Sequence, residues 1–223
     1  FAEVISHPIR FTSAKGAYRK PVAEHALLLM MALGRIIPER VRAKSWGKSF
    51  AVSLYDSRIL IVGGGGITEE LLLLLAPFNT HISVIRNRNI PMPGATLTRT
   101  FDYLDEELAR ADFVVLAAAL TNETKSLFDN RRLSLMKESA YLINIARGPM
   151  VVTDDLIKAL NAGVIAGAAA LLARNRERWA GRLMMIFQPA EEIGGGAQAM
   201  IDDGLYDRFG KPDVVLGQHV VSA

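Results

Sequence analysis

Arg58-Ile59-Leu60-Ile61-Val62 is a short apolar, β-prone run that stops at Gly63-Gly64-Gly65-Gly66 and gives way to a second apolar run at Leu71–Leu75. A buried strand, a glycine turn and a helix, in that order, open a βα unit. The same alternation of apolar runs and helical patterns extends from Pro21 to Ala168. That pattern predicts an α/β fold with a doubly wound parallel sheet, because parallel strands need crossover helices that cover both faces.

The individual elements follow from local chemistry. Pro21 in a first turn and the apolar spacing through Leu33 predict a helix. Further strands are expected at His81–Ile85, Phe113–Ala119 and Tyr141–Ile145, with helices at Asp105–Ala111 and at Asp154–Ala162, the latter stopped by Gly163. Leu71–Leu75 is apolar nearly all round, which predicts a helix buried between the sheet and another layer. Glu69 and Glu70 belong to its first turn. Ser45–Tyr55 is polar, poor in pattern and the expected hinge segment.

Chemistry enters at the glycine turn. Gly63 and Gly65 suit a tight turn that lets backbone approach a pyrophosphate, and Gly66 and Ile67 open the helix whose unpaired N–H groups attract anions. The third glycine of a Rossmann-like fingerprint falls on Thr68, whose bulk is expected to push the helix slightly outward. An ordinary glycine turn between strand and helix is the bland alternative. The second strand runs into Ile85-Arg86-Asn87-Arg88 with no carboxylate for a ribose 2′-hydroxyl. Arg86 and Arg88 instead suit a 2′-phosphate, so NADP is expected ahead of NAD, unless these arginines form only a solvated basic loop.

Several segments together resemble the D-2-hydroxyacid dehydrogenase family. They are Thr12–Tyr18, Val22–Ala26, the glycine turn, Leu120-Thr121-Asn122-Glu123-Thr124 and Leu142-Ile143-Asn144-Ile145-Ala146-Arg147-Gly148, in the family's order. The resemblance implies that Arg147 holds a substrate carboxylate, and that Thr121 and Ala146 belong to the cofactor-binding loops. It also implies a 2-hydroxy or 2-keto acid substrate and leaves His25 structural. The family's general acid/base His and its carboxylate partner have no counterpart here, and most of the substrate domain is missing. Arg147 cannot replace the acid, since its guanidinium stays protonated.

From about Ala169 the chain resembles a different family, the zinc amidohydrolases and aminoacylases. The resemblance is carried by Phe187-Gln188-Pro189-Ala190-Glu191-Glu192 and Gly217-Gln218-His219. It implies Glu191 as the general base, with Glu192 and His219 as metal ligands. Two ligands are too few for a catalytic zinc site, so zinc is expected only if other residues complete it. Two units are therefore expected: a dinucleotide-binding domain over residues 1–168 and a short α/β fragment over 169–223. The string Gly167-Ala168-Ala169 marks where two genes could have joined, by recombination or by sequence assembly. A start at Phe1 rather than Met is a further sign of truncation.

Composition narrows the partners. A net charge of +3, dispersed along the chain, gives no stripe for nucleic acid. There is no cysteine, hence no disulfide or thiol nucleophile. No apolar stretch approaches the ~18 residues of a membrane span, which makes a cytoplasmic protein, with homo-oligomers possible, the expectation. Three readings stay open. The first is the NAD(P)-binding portion of an oxidoreductase acting on a 2-hydroxy acid, inactive as it stands. The others are a metal-dependent amidohydrolase of N-acyl amino acids and a non-catalytic dinucleotide-binding module.

Overall fold

The computed structural model of the protein describes residues 16–45, 47, 50–161 and 202. Among them, β1 (Arg58–Val62), β2 (His81–Ile85), β3 (Leu97–Arg99), β4 (Phe113–Leu116) and β5 (Tyr141–Asn144) form one sheet in the order β3-β2-β1-β4-β5. Every pairing is parallel, and the strands end in step: Val62 lies opposite Ile85 and Leu116, and Leu116 opposite Asn144. The chain moves outward from β1 through β2 to β3, then crosses back to place β4 on the other side of β1. The topological switch point therefore falls between β1 and β4, where open α/β sheets leave a crevice beyond their carboxyl ends.

Helices cover both faces. On one side, α1 (Arg19–Gly34) and α3 (Gly66–Leu75) bury Ala23, Ala26, Met30, Leu71, Leu72 and Leu75 with Ile59, Ile61, Val84 and Val115. On the other, α4 (Leu104–Leu108), α5 (Asn130–Leu135) and α6 (Thr153–Asn161) contribute Leu104, Leu108, Leu133 and Ala159 to a core with Leu60, Val62, Ile85 and Val114. Alternate residues of β1 thus enter opposite cores, and burial on both faces makes the strand read as an unbroken apolar run. Ala23 and Ala26, both fully buried, remove the bulk that would hold α1 away from its neighbours. Phe113 and Tyr141 stack across β4 and β5 with ring centroids 5.1 Å apart. A short helix, α2 (Ile37–Arg42), follows α1.

Most predicted elements are present, and the differences have physical reasons. α3 is buried on one face only, because Leu73 is 70% exposed and Leu74 37%. Its apolar surface exceeds what the sheet and α1 can cover. The third predicted strand ends at Leu116, since Ala117 and Ala118 turn in against the glycine loop. β3, α2 and α5 have no counterpart among the predicted elements. α5 is set by its cap: Asp129 accepts from the Arg132 backbone N–H at 2.9 Å. Arg131 and Arg132 then pair with Asp105 of α4 at 2.6 and 2.9 Å. The hydrogen bond from Arg131, with Arg132 behind it, holds the Asp105 carboxyl below the usual carboxylate range. In the expected hinge, the Val52 N–H donates to the Gly34 carbonyl at 2.7 Å and Leu54 is buried, so the end of that segment is tied to the core. No helix among the described residues is long and apolar enough to cross a membrane.

Candidate functional site

The turn after β1 lies at the switch point. Gly63 has φ +119°, and its N–H donates to the Ile85 carbonyl at 2.8 Å. A Cβ built there would stand 2.6 Å from the Ala117 carbonyl carbon and from the Ala118 nitrogen, both backbone atoms. Only glycine satisfies the dihedral and the contact together. Gly65 is the N-cap of α3, in extended backbone, and nothing lies within 4 Å of the place a Cβ would take.

That opening matters because α3 has no side-chain cap. The first N–H groups of a helix lack intrahelical partners and seek a cap, water or an anion. Gly65 offers them no side chain and leaves them open to an approaching group. α5, capped by Asp129, shows the alternative in the same molecule.

Thr68 occupies the third fingerprint position, in the first turn of α3. It is fully buried, and its hydroxyl donates to the Gly63 carbonyl at 2.7 Å. That hydrogen bond ties the first turn of α3 back to the glycine turn.

Two arginines border the turn. The Cδ and Nε atoms of Arg86, just beyond β2, lie 2.9 Å from the position of a Gly64 Cβ, with the buried Met92 sulfur at 3.1 Å. At the other end the Cδ of Arg19, in the first turn of α1, lies 3.4 Å from the corresponding point of Gly66. Arg88 is exposed on the loop after β2, its carbonyl accepting from the Ile90 N–H at 2.8 Å. Ile67 is half-buried in the first turn of α3.

The loops after β4 and β5 complete this edge of the sheet. Thr124 is buried and donates to the Ala119 carbonyl at 2.7 Å, while its hydroxyl oxygen accepts from the Thr121 N–H at 2.7 Å. A hydrogen bond from Thr121 holds the exposed Glu123 carboxyl below its usual range. Thr121 is therefore ordered by its own loop. Asn144 clamps the β5 loop, accepting from the Ala146 N–H and donating to the Arg147 carbonyl, each at 3.0 Å. Arg147 is exposed and donates to the Ala146 carbonyl at 3.0 Å.

The structure thus brings Gly63, Gly65, Gly66, Ile67 and Arg86 together at one turn, and sets Thr121, Ala146 and Arg147 on loops that leave the same ends of neighbouring strands. Thr68 packs behind the turn and Arg19 borders it from α1, and neither was among the sequence candidates. Glu191, Glu192 and His219 lie outside the described residues. Among the described residues, no group of three or more His, Cys, Asp or Glu could hold a metal ion.

Comparison with known proteins agrees with this geometry. The family model for the D-isomer specific 2-hydroxyacid dehydrogenase NAD binding domain matches residues 26–172. A second model, for the peptidase family M20/M25/M40, matches residues 158–223 and overlaps the first. An uncharacterized protein of Corynebacterium melassecola is 38% identical over 172 residues, covering 74% of this chain and 57% of its own. The glyoxylate reductase of Pyrococcus furiosus is 34% identical over 178 residues, covering 74% of this chain and 53% of its own. Among solved structures, a D-isomer specific 2-hydroxyacid dehydrogenase from Xanthobacter autotrophicus, in complex with NADPH and MES, superposes with a TM-score of 0.63 at 27% identity. That match covers 69% of this chain and 50% of the other. The chain spans about half the length of the relatives it matches. By fold, by the glycine turn at its switch point and by the family match over 26–172, the chain belongs to the D-isomer specific 2-hydroxyacid dehydrogenase family and carries its NAD(P)-binding domain.

Proposed function

We propose that the chain binds a nicotinamide dinucleotide at the turn Gly63–Thr68, with NADP(H) preferred over NAD(H), and that as it stands it does not turn over a 2-keto acid. The observation that carries the binding reading is the uncapped N-terminus of α3 behind Gly65, open where a side chain would otherwise stand. Gly63 supports it by letting backbone pass close to Ala117 and Ala118. Arg86 is the residue for a 2′-phosphate, with Arg88 as a second cation on the same loop. Thr121 and Ala146 line the cofactor's far end, and Arg147 holds a substrate carboxylate.

When bound, the cofactor supplies a nicotinamide ring that donates or accepts a hydride. The chain must add a proton donor within hydrogen-bond reach of the substrate oxygen. Arg147 carries charge but gives up no proton at physiological pH. General acid–base catalysis contributes typically ~100- to 10,000-fold, so binding without measurable turnover is the expected behaviour.

The test pairs calorimetric titration of the 223-residue chain against NADPH and NADH with an oxidation assay on a panel of 2-keto acids that includes glyoxylate. Binding without turnover supports the proposal. Turnover abolished by Arg147→Ala would sink the non-catalytic half and point to a proton donor elsewhere, with His219 the first to replace. No binding of either cofactor by a folded sample would sink the binding half.

We also propose that the chain joins pieces of two genes. The two family matches meet at residues 158–172, which contain Gly167-Ala168-Ala169, and the second piece carries Glu191, Glu192 and His219. The coding DNA read across this junction in its source organism decides the matter, and two separate reading frames there would mark an assembly join.

A further inference from the structure

We infer that Arg19 is a phosphate-holding residue of the dinucleotide site, supplied to the glycine turn by a helix that precedes the sheet. This rests on the reading of Gly63–Thr68 as that site. Arg19 stands in the first turn of α1, and its Nε pairs with Glu70 Oε1 of α3 at 2.9 Å. Its stem runs past Gly66, with Cδ 3.4 Å and Cβ 3.7 Å from where a Cβ of Gly66 would stand. A Cβ at position 66 would meet that stem in ordinary van der Waals contact.

The ion pair uses one edge of the guanidinium. The two terminal nitrogens have no partner among the described residues, and the side chain is 47% exposed. Anchoring through Nε therefore fixes a fork whose outer donors stay available, the arrangement in which Arg binds phosphate with least loss of side-chain freedom. Across the turn, Arg86 lies over Gly64 in the same manner. The two arginine side chains thus lie beside Gly64 and Gly66, the chain neighbours of the open Gly65.

Charge argues in the same direction. Glu69 and Glu70 both sit near the N-terminus of α3, and two carboxylates there would repel an anion. Arg19 neutralises Glu70, which leaves the helix end attractive to a diphosphate. The two arginines then divide the work. Arg86, after β2, discriminates the ribose substituent, and Arg19 contacts phosphate common to both cofactors.

Calorimetric titration of the full chain with NADH, NADPH and 2′-AMP separates these roles. Arg19→Met is expected to weaken NADH and NADPH by the same factor, about ten-fold or more, while 2′-AMP is unaffected. Arg19→Lys, which keeps charge but loses the fork, should fall between. If wild-type chain binds NADH and Arg19→Met binds it equally well, Arg19 is only a strap between α1 and α3, and its loss will show in the urea midpoint alone. If wild-type chain binds neither dinucleotide, the underlying reading of the glycine turn fails, and this inference with it.

Discussion

Gly63→Ala is expected to cost about 3–5 kcal/mol of folding stability, the sum of a backbone held where L side chains rarely go and a clash that cannot relax. The φ of +119° accounts for one part. The other is the pair of contacts at 2.6 Å, which meet main-chain atoms of Ala117 and Ala118 rather than a flexible side-chain end. Those atoms are held in turn, since the Ala117 N–H donates to the Val62 carbonyl at 2.8 Å and leaves the β4 edge no room to move. Domains of this size are stable by only ~5–15 kcal/mol, so the loss is a large fraction of the whole. A urea titration reads it as a lower midpoint at unchanged slope. Gly65→Ala is the control, because its Cβ meets nothing and its backbone is extended. It should unfold within about 1 kcal/mol of wild type while binding dinucleotide more weakly, because the new methyl stands where backbone meets phosphate. A Gly63→Ala variant as stable as Gly65→Ala would mean that the turn tolerates a different path.

The parts of the fold legible in the sequence are those whose signal is local. β1 is predicted to the residue, because four buried apolar side chains are closed off by glycines that cannot continue a strand. β3 is three residues long and lies at the sheet edge, with Leu97 41% exposed and Thr98 and Arg99 half-buried. So short a run shows no period, and only its pairing with β2 makes it a strand. Leu73 and Leu74 mislead in the opposite direction. They extend the apolar run of α3 past what tertiary packing covers, and a sequence count of leucines cannot say which face meets the sheet.

The site divides in the same way. Gly63, Gly65 and Arg86 are legible because strand, turn and next strand fix their places by chain order. Thr68 reads as a defect when only its size is considered, yet its hydroxyl reaches a carbonyl within the turn. Arg19 leaves no sequence signal. Its approach to Gly66 depends on how α1 docks over α3, through Ala23 and Ala26, and that is decided by packing rather than by any motif. Glu191, Glu192 and His219 show the reverse limit, a motif legible in sequence that lies outside the described residues.

Arg86→Asp is expected to reverse the cofactor preference. In the wild-type chain a guanidinium lies beside Gly64 at the end of β2, where the side chain that follows the second strand meets the ribose. A charge-assisted contact to a 2′-phosphate is worth about 1.5–3 kcal/mol, so NADPH should bind about ten-fold or more tightly than NADH. Aspartate removes that contact and sets a carboxylate against the phosphate. The same carboxylate accepts the 2′-hydroxyl of NADH, so one substitution moves the two affinities in opposite directions. The shorter side chain also withdraws from Gly64, and a small change in stability, common to both titrations, cancels in the ratio. The NADPH/NADH affinity ratio, measured by calorimetry at fixed salt, is therefore the quantity to follow. A ratio near one in wild type, unchanged in Arg86→Asp, would reduce the arginine to a lid over the glycine turn, and the discriminating charge would then be sought at Arg88.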